Sequence, residues 1–281
     1  MLPARRGTVK RLCAIFGDGS GYHGRMSSAK FPRRIGLARA LSKLGYCSRS
    51  RAAELIRAGR VRLNGAVCLD SETPVHHAND HFTVDGAAVT GQSKLHLMLN
   101  KPRGLVTSAA DEKGRETIYS CLPPDLPWVA PVGRLDKASE GLLLVTNDSE
   151  WAARVLAPES HLEKIYHVQI SGRPGPDVVR KLEQGVGTRV GFLRVRKASI
   201  LRQGTRNSWL EIILDEGKNR HIRRMLATLR IEVLRLVRVA IGPLALGDLP
   251  RGSSRELTNE EKRALDRALG QGTAQTRTCR R

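Results

Sequence analysis

Leu37, Leu41 and Leu44 recur at i, i+4 and i+7, the spacing of one apolar helical face, and Gly45 marks its end. Ser48 is a candidate N-cap for a second helix, with Ala52, Leu55 and Ile56 on its apolar side and Gly59 as its stop. Beyond it, Val61, Leu63, Val67 and Leu69 flank Asn64–Gly65, which predicts a hairpin, and Phe82 and Val84 before Asp85–Gly86 predict another strand and turn. From residue 94 the spacing changes. Leu95, Leu97 and Leu99 alternate into a strand that ends at Asn100-Lys101-Pro102-Arg103-Gly104. Gly141 to Val145 is a continuous apolar run, as expected of a strand buried on both faces. A helix capped by Asp148 or Ser149 follows, with Trp151, Val155 and Leu156 directed inward. Tyr166, Val168 and Ile170 share one strand face, and Leu210, Ile212 and Leu214 share another, until Asp215-Glu216-Gly217 breaks the pattern. Asn219 is the candidate cap of a helix striped by Ile222, Met225, Leu226 and Leu229, and Val233 to Val239 returns as a strand. Strands and helices mix without a regular βαβ alternation. That predicts an α+β fold with a largely antiparallel sheet.

The 281 residues therefore divide into a basic arm over 1–33, a small α+β module over 34–90, a larger domain over 94–252 and a basic tail over 253–281. Lys and Arg number 48 against 27 Asp and Glu, a formal charge of +21. A surplus of that size calls for a polyanionic partner, with nucleic acid the leading candidate. The surplus is +7 over residues 1–34, +2 over 35–90, +9 over 91–252 and +3 over 253–281, so the tails alone do not account for it. The extremities of both tails are expected to be disordered, although Leu257–Leu269 carries a short helical pattern. Leu12 to Phe16 is too short for the apolar centre of a secretory signal, and Met26 is an alternative start of translation. No apolar run approaches the roughly 18 residues of a membrane span. Five dispersed cysteines without C-x-x-C argue against a disulfide scaffold and a cysteine-based zinc site, and favour a reducing, cytoplasmic compartment. His76–His77 and His81 read as loop residues outside any metal-ligand framework, and His221 as a helix-surface residue beside an arginine cluster. No metal site is expected.

The most informative segment is Pro131-Val132-Gly133-Arg134-Leu135-Asp136-Lys137-Ala138-Ser139-Glu140-Gly141. It sets one acid between two basic residues in a glycine-flanked loop directly before the buried strand. Loops at strand ends carry function on rigid supports, and basic neighbours keep a carboxylate ionised and able to act as nucleophile or base. Spacing alone favours an ordinary loop ion pair or a turn-capping Asp.

Two resemblances narrow the choice. Leu44-Gly45-Tyr46-Cys47-Ser48-Arg49-Ser50-Arg51, followed by Ile56-Arg57-Ala58-Gly59-Arg60-Val61-Arg62-Leu63-Asn64-Gly65, resembles the αL RNA-binding motif of the S-four type. It implies recognition of folded RNA through Arg49, Arg51, Arg57 and Arg60. Gly133-Arg134-Leu135-Asp136 with Gly141-Leu142-Leu143-Leu144-Val145-Thr146-Asn147-Asp148 resembles the catalytic motif of pseudouridine synthases, in the ribosomal subgroup of RsuA and RluB type. Leu99 to Gly104, Glu163 to Tyr166, Glu216 to Met225 and Ile241 to Leu244 agree in order, and the similarity runs from about residue 34 to 252. Lys218 stands where arginine is more usual, and Ser139 where threonine is common.

The resemblance implies isomerisation of uridine to pseudouridine in RNA, without electron exchange and without a cofactor. It assigns Asp136 as the catalytic carboxylate, acting on the sugar as nucleophile or as base. Arg223 is the motif arginine that pairs with it, and Tyr166 the ring that stacks on the flipped base. Lys101, Arg103, Arg134, Lys218, Arg220 and Arg224 are expected on RNA. The partner it implies is ribosomal RNA or a ribosome assembly intermediate, met by a monomer with no membrane and no small-molecule cofactor. The rivals are a non-catalytic RNA-binding protein of ribosome assembly and a synthase acting on another RNA. Only the catalytic reading needs Asp136, Tyr166 and Arg223 together, and all three are present.

Overall fold

The computed structural model describes residues 34–76, 79–109, 111 and 113–278, with side chains to residue 270. The arm over 1–33, both candidate start sites, Cys13, His77 and residues 279–281 lie outside the described residues.

The N-terminal part runs β1 (Ile35–Gly36), α1 (Leu37–Lys43), α2 (Arg49–Arg57), β2 (Val61–Leu63), β3 (Ala66–Val67), β4 (Pro74–Val75), β5 (Phe82–Val84) and β6 (Ala87–Ala88). The Ser48 hydroxyl accepts from the Arg51 amide at 3.1 Å and caps α2 as its position predicts. The i, i+4 stripes of both helices close over β2 and β5, so that Leu37, Leu41, Ala52, Leu55, Ile56, Val61, Phe82 and Val84 form one core. Asn64 and Gly65, at φ 50° and 87°, make the β2–β3 turn. The polar face of α2 is left in water, and Arg49, Arg51 and Arg57 with it.

The larger part continues through β7 (His96–Lys101), β8 (Ala130–Val132), β9 (Glu140–Thr146), α3 (Ser149–Leu156), β10 (Lys164–Ser171), α4 (Pro176–Gln184), β11 (Val186–Thr188), β12 (Gly191–Leu193), β13 (Lys197–Gln203), β14 (Asn207–Leu214), α5 (His221–Thr228), β15 (Val233–Ile241), β16 (Leu244–Ala245), β17 (Ser254–Glu256) and α6 (Asn259–Thr278). One sheet carries the order β13-β14-β10-β15-β9-β7-β17, with β16 beside β15 and β8 beside β9. Its pairings are antiparallel except at β15–β9, which is parallel over two residue pairs. That junction has a local cause. A Cβ at Gly141 would stand 2.2 Å from the Arg238 carbonyl oxygen, and φ there is 101°, so glycine alone lets β15 approach β9.

Every residue of β9 is buried because the sheet is covered on both faces there. Leu142 and Leu144 meet Trp151, Leu265 and Leu269, whereas Leu143 and Val145 meet Leu97, Leu99, Ile118 and Leu135. β14 instead alternates buried and half-buried, its covered face packing Leu210, Ile212 and Leu214 against Leu182 of α4 and Ile222, Met225 and Leu226 of α5. Asp148, not Ser149, caps α3, accepting from the Glu150 and Trp151 amides at 3.1 Å each. Leu156, expected inward, is 53% exposed at the last turn of that helix.

The chain from residue 253 is not a tail as far as 270. β17 adds to the edge of β7, and α6 buries Leu265 and Leu269 against Trp151 and Leu144. Two such burials contribute about 2–3 kcal/mol each. The helix starts at a reciprocal cap: the Glu261 carboxylate accepts from the Thr258 amide at 2.8 Å, and the Thr258 hydroxyl from the Glu261 amide at 3.1 Å. Trp151 Nε1 donates to Asp266 at 2.9 Å and ties α6 to α3. Among the described residues, no helix is long and apolar enough to cross a membrane.

Gly141→Ala is expected to lower unfolding stability by about 2–4 kcal/mol, since backbone must retreat. Gly65→Ala, with nothing within 4 Å of its Cβ, meets only the left-handed backbone cost of about 1–2 kcal/mol. Urea unfolding of the two variants checks the difference.

Candidate active site

The loop between β8 and β9 carries Asp136, and the peptide oxygens of five consecutive residues in it are held. Thr107 Oγ1 donates to Leu135 O at 2.8 Å. Asp136 O accepts from the Ser139 amide at 2.9 Å and from Lys101 Nζ at 3.3 Å. The Gly104 amide donates to Lys137 O at 2.8 Å, Arg223 to Ala138 O at 3.0 Å, and Lys101 again to Ser139 O at 3.0 Å. A third Lys101 bond, to Pro102 O at 3.1 Å, completes its three donors.

Lys101 was expected on RNA, and the structure corrects this. Its side chain is fully buried. The reason is the period of two along β7: Lys101 falls on the same side as Leu97 and Leu99, which enter the core beside Leu135. Burial pushes its ammonium down to about 8, against the opposing pull of Glu140 and Asp136. Glu140, the first residue of β9 and 4% exposed, is held by Arg235 at 2.9 and 3.0 Å, with Arg251 at 3.5 Å.

Arg223 reaches the loop from α5. It donates to the Ala138 carbonyl and not to the Asp136 carboxylate, while lying within the field of that carboxylate. Burial lowers its pKa, Asp136 opposes this, and Arg220 and Arg103 lower it further. Arg220 and Arg103 thus stand close to Arg223, the guanidinium that feels the Asp136 carboxylate. Tyr166, half-buried on β10, packs against both the Leu135 core and the core under α5, at the seam where the two meet. In register across β9, β15 and β10 stand Gly141, Arg238 and Tyr166. Arg238 is 6% exposed and donates through Nε to Leu142 O at 2.7 Å.

The other expected RNA contacts fall into two groups. Arg49, Arg57, Arg103, Arg134 and Arg220 are exposed with no carboxylate within 4.0 Å among the described residues. Arg51 shares Glu54 at 3.0 Å, Arg60 is clamped by both oxygens of Asp85, and Lys218 shares Glu216 at 2.9 Å. Arg224 donates to Asn219, which does not cap α5; Arg220 holds that position at φ 50°. His221, expected on the surface, is 3% exposed, and burial pushes its imidazole pKa down. Thr107, Lys164 and Arg238 were not singled out in the sequence. The signal for the last two was present, since Arg238 alternates with Leu236 and Ala240, and Lys164 with Tyr166 and Val168.

The RNA pseudouridylate synthase family model matches residues 95–228, and the S4 domain model matches residues 35–82. An uncharacterized RNA pseudouridine synthase of Aquifex aeolicus is 38% identical over 231 residues, covering 82% of this chain and 93% of that protein. The ribosomal large subunit pseudouridine synthase B of Bacillus subtilis is 34% identical over 235 residues, covering 83% and 96%. A crystal structure of pseudouridylate synthase superposes with a TM-score of 0.58 at 28% identity, over 82% of this chain and 99% of that one. The chain belongs to the RNA pseudouridine synthase family: it is an RNA uridine isomerase with an N-terminal S4 domain.

Lys101 links this loop to pH. Its folded value of about 8 lies below the ordinary 10.5, so between those values the unfolded chain holds a proton that the folded chain has released. Its contribution to stability is therefore full above 10.5 and lost as pH falls through about 8. Deprotonation also removes one donor from the loop. Turnover is expected to fall above about pH 8, while the stability of the native protein relative to Lys101→Met rises between 8 and 10.5. Rate–pH profiles and urea titrations of both proteins check the opposite signs.

Proposed function

We propose that the protein converts a uridine of large-subunit ribosomal RNA to pseudouridine, with Asp136 as the catalytic carboxylate. The observation that carries the reading is the clamp on residues 135–139: it holds one acidic loop rigid among Arg103, Arg220 and Arg223. Preorganised positioning of this kind is what a carboxylate acting on a nucleoside sugar requires. The choice of ribosomal RNA is supported by the S4 domain and by the named activity of the Bacillus subtilis relative.

In this reading the target nucleotide leaves its stack, at a cost of about a few kcal/mol. Exposed Arg49 and Arg57 on α2, with Arg103 and Arg220 near the loop, supply that energy through phosphate contacts. Tyr166 lies under the flipped base, and Arg223 fixes the Asp136 loop and balances its charge. The C1′–N1 bond breaks, the base turns, and its C5 bonds to C1′. The atoms of substrate and product are the same, so no cofactor is needed.

Asp136→Asn is expected to abolish tritium release from uridine labelled at ring carbon 5 in RNA while leaving RNA affinity in place; full activity in that variant rejects the assignment. Replacing Arg49 and Arg57 together with Ala is expected to weaken binding and to reduce the slope of log affinity against log salt by about 1.4–1.8. An unchanged slope places those arginines off the phosphates.

A further inference from the structure

Two cations beside Tyr166 have no part in the chemistry described so far. Lys164 stands two residues before Tyr166 on the same face of β10, about 6.6 Å along the strand. Arg238 stands opposite Tyr166 on β15. Among the described residues neither has a carboxylate within 4.0 Å, although nearby Glu140 has two arginines. Lys164 Nζ makes one long contact, to the Asp215 carbonyl at 3.5 Å. Arg238 uses Nε on Leu142 O, and one terminal nitrogen of its guanidinium is buried without any partner. Burial depresses the Lys164 pKa and the Arg238 charge depresses it further, with the Asp215 carboxylate offsetting part of this. Two like charges in a drying environment are costly to hold together unless an anion joins them.

The reaction generates such an anion. When C1′–N1 breaks, its electron pair stays on N1, and the charge spreads to the ring oxygens O2 and O4. The Asp136 carboxylate meanwhile bonds C1′ or takes the C2′ proton. When C5 bonds C1′, the Asp136–C1′ bond breaks or the C2′ proton is returned, which regenerates the carboxylate; the C5 proton then leaves and N1 is protonated, so that the base is neutral again. We propose that Lys164, with the Arg238 charge beside it, is a further catalytic residue that donates to a ring oxygen of the departing uracil and stabilises it as an anion. The proposal rests on the reading of Asp136 and Tyr166 given above. Lys164 is half-exposed and reaches the base; Arg238 is buried and acts as a fixed charge. A donor aimed where charge develops, and unpartnered before it develops, stabilises the transition state more than the ground state.

The test uses unmodified ribosomal RNA transcripts made with uridine or with 5-fluorouridine, in single turnover with the full-length enzyme. Fluorine on ring carbon 5 stabilises the departing anion by itself, so the cation matters less. Lys164→Met is expected to slow rearrangement of uridine by about 10²-fold. The loss is expected to be several-fold smaller on fluorouridine, with transcript affinity and melting temperature near those of the native protein. Lys164→Arg, which keeps the charge, is expected to recover most of the rate. Equal losses on both substrates, a native rate in Lys164→Met, or no recovery in Lys164→Arg overturns the proposal. Asp136→Asn run alongside separates the two readings: if it is inactive while Lys164→Met is native, only the role of Lys164 falls; if it is active, the Asp136 reading falls first.

Discussion

The peptide oxygens of residues 135–139 set the terms for everything else in the larger domain. Five consecutive carbonyls turned toward protein must each find a donor, because buried unpaired acceptors cost about 1–3 kcal/mol apiece. The donors come from four places: Lys101 at the end of β7, Gly104 and Thr107 just beyond it, Ser139 within the loop, and Arg223 on α5. The Asp136 loop therefore connects the edge of one core to the helix that covers the other. Tyr166 touches both cores at the same seam. Site and fold share one set of bonds.

Much of this was legible in the residue pattern. The stripes of α1, α2 and α5, the run through β9, the alternation of β14 and the Asn64–Gly65 turn follow from periods of 3.6 and two and from glycine's left-handed freedom. The Asp136 loop stood out by its position before a buried strand. What was missed has a common cause. Lys101 was assigned to RNA by type and Lys164 and Arg238 were passed over, yet all three occupy core-side positions of strands whose alternation is plain. Parity outranks polarity where donors are needed inside. After 252 the helical pattern of Leu257–Leu269 was read, but not β17 before it nor the reciprocal cap that Thr258-Asn259-Glu260-Glu261 carries at the start of α6. His221 was placed on a helix surface beside the arginine cluster, although it stands one turn before Met225 on the buried stripe of α5. α4 carries an amphipathic pattern that was passed over, with Val178, Val179 and Leu182 on one side, whereas the short β11–β12 hairpin depends on core contacts distant in sequence.

A net charge of +21 says little about where an anion would bind until the ion pairs are removed from it. Arg51, Arg60 and Lys218 each have a carboxylate neighbour, and exposed pairs of that kind hold the side chain more than they stabilise the fold. Of the residues expected on RNA, the unpaired ones stand on the outer face of α2 and near the Asp136 loop. The first location suits the RNA backbone at a distance from the reacting nucleotide, and the second suits the nucleotide itself.

The strand that closes the β7 edge and the helix that locks over Trp151 come last among the described elements, at Ser254–Glu256 and Asn259–Thr278. During synthesis from the N-terminus, the S4 module finishes long before them, whereas the face of β9 that needs Leu265 and Leu269 stays bare until α6 has been made. A nascent chain can thus hold RNA through a completed module while its isomerase half is still assembling, and a message truncated before about residue 265 would yield a binder with an unfinished catalyst.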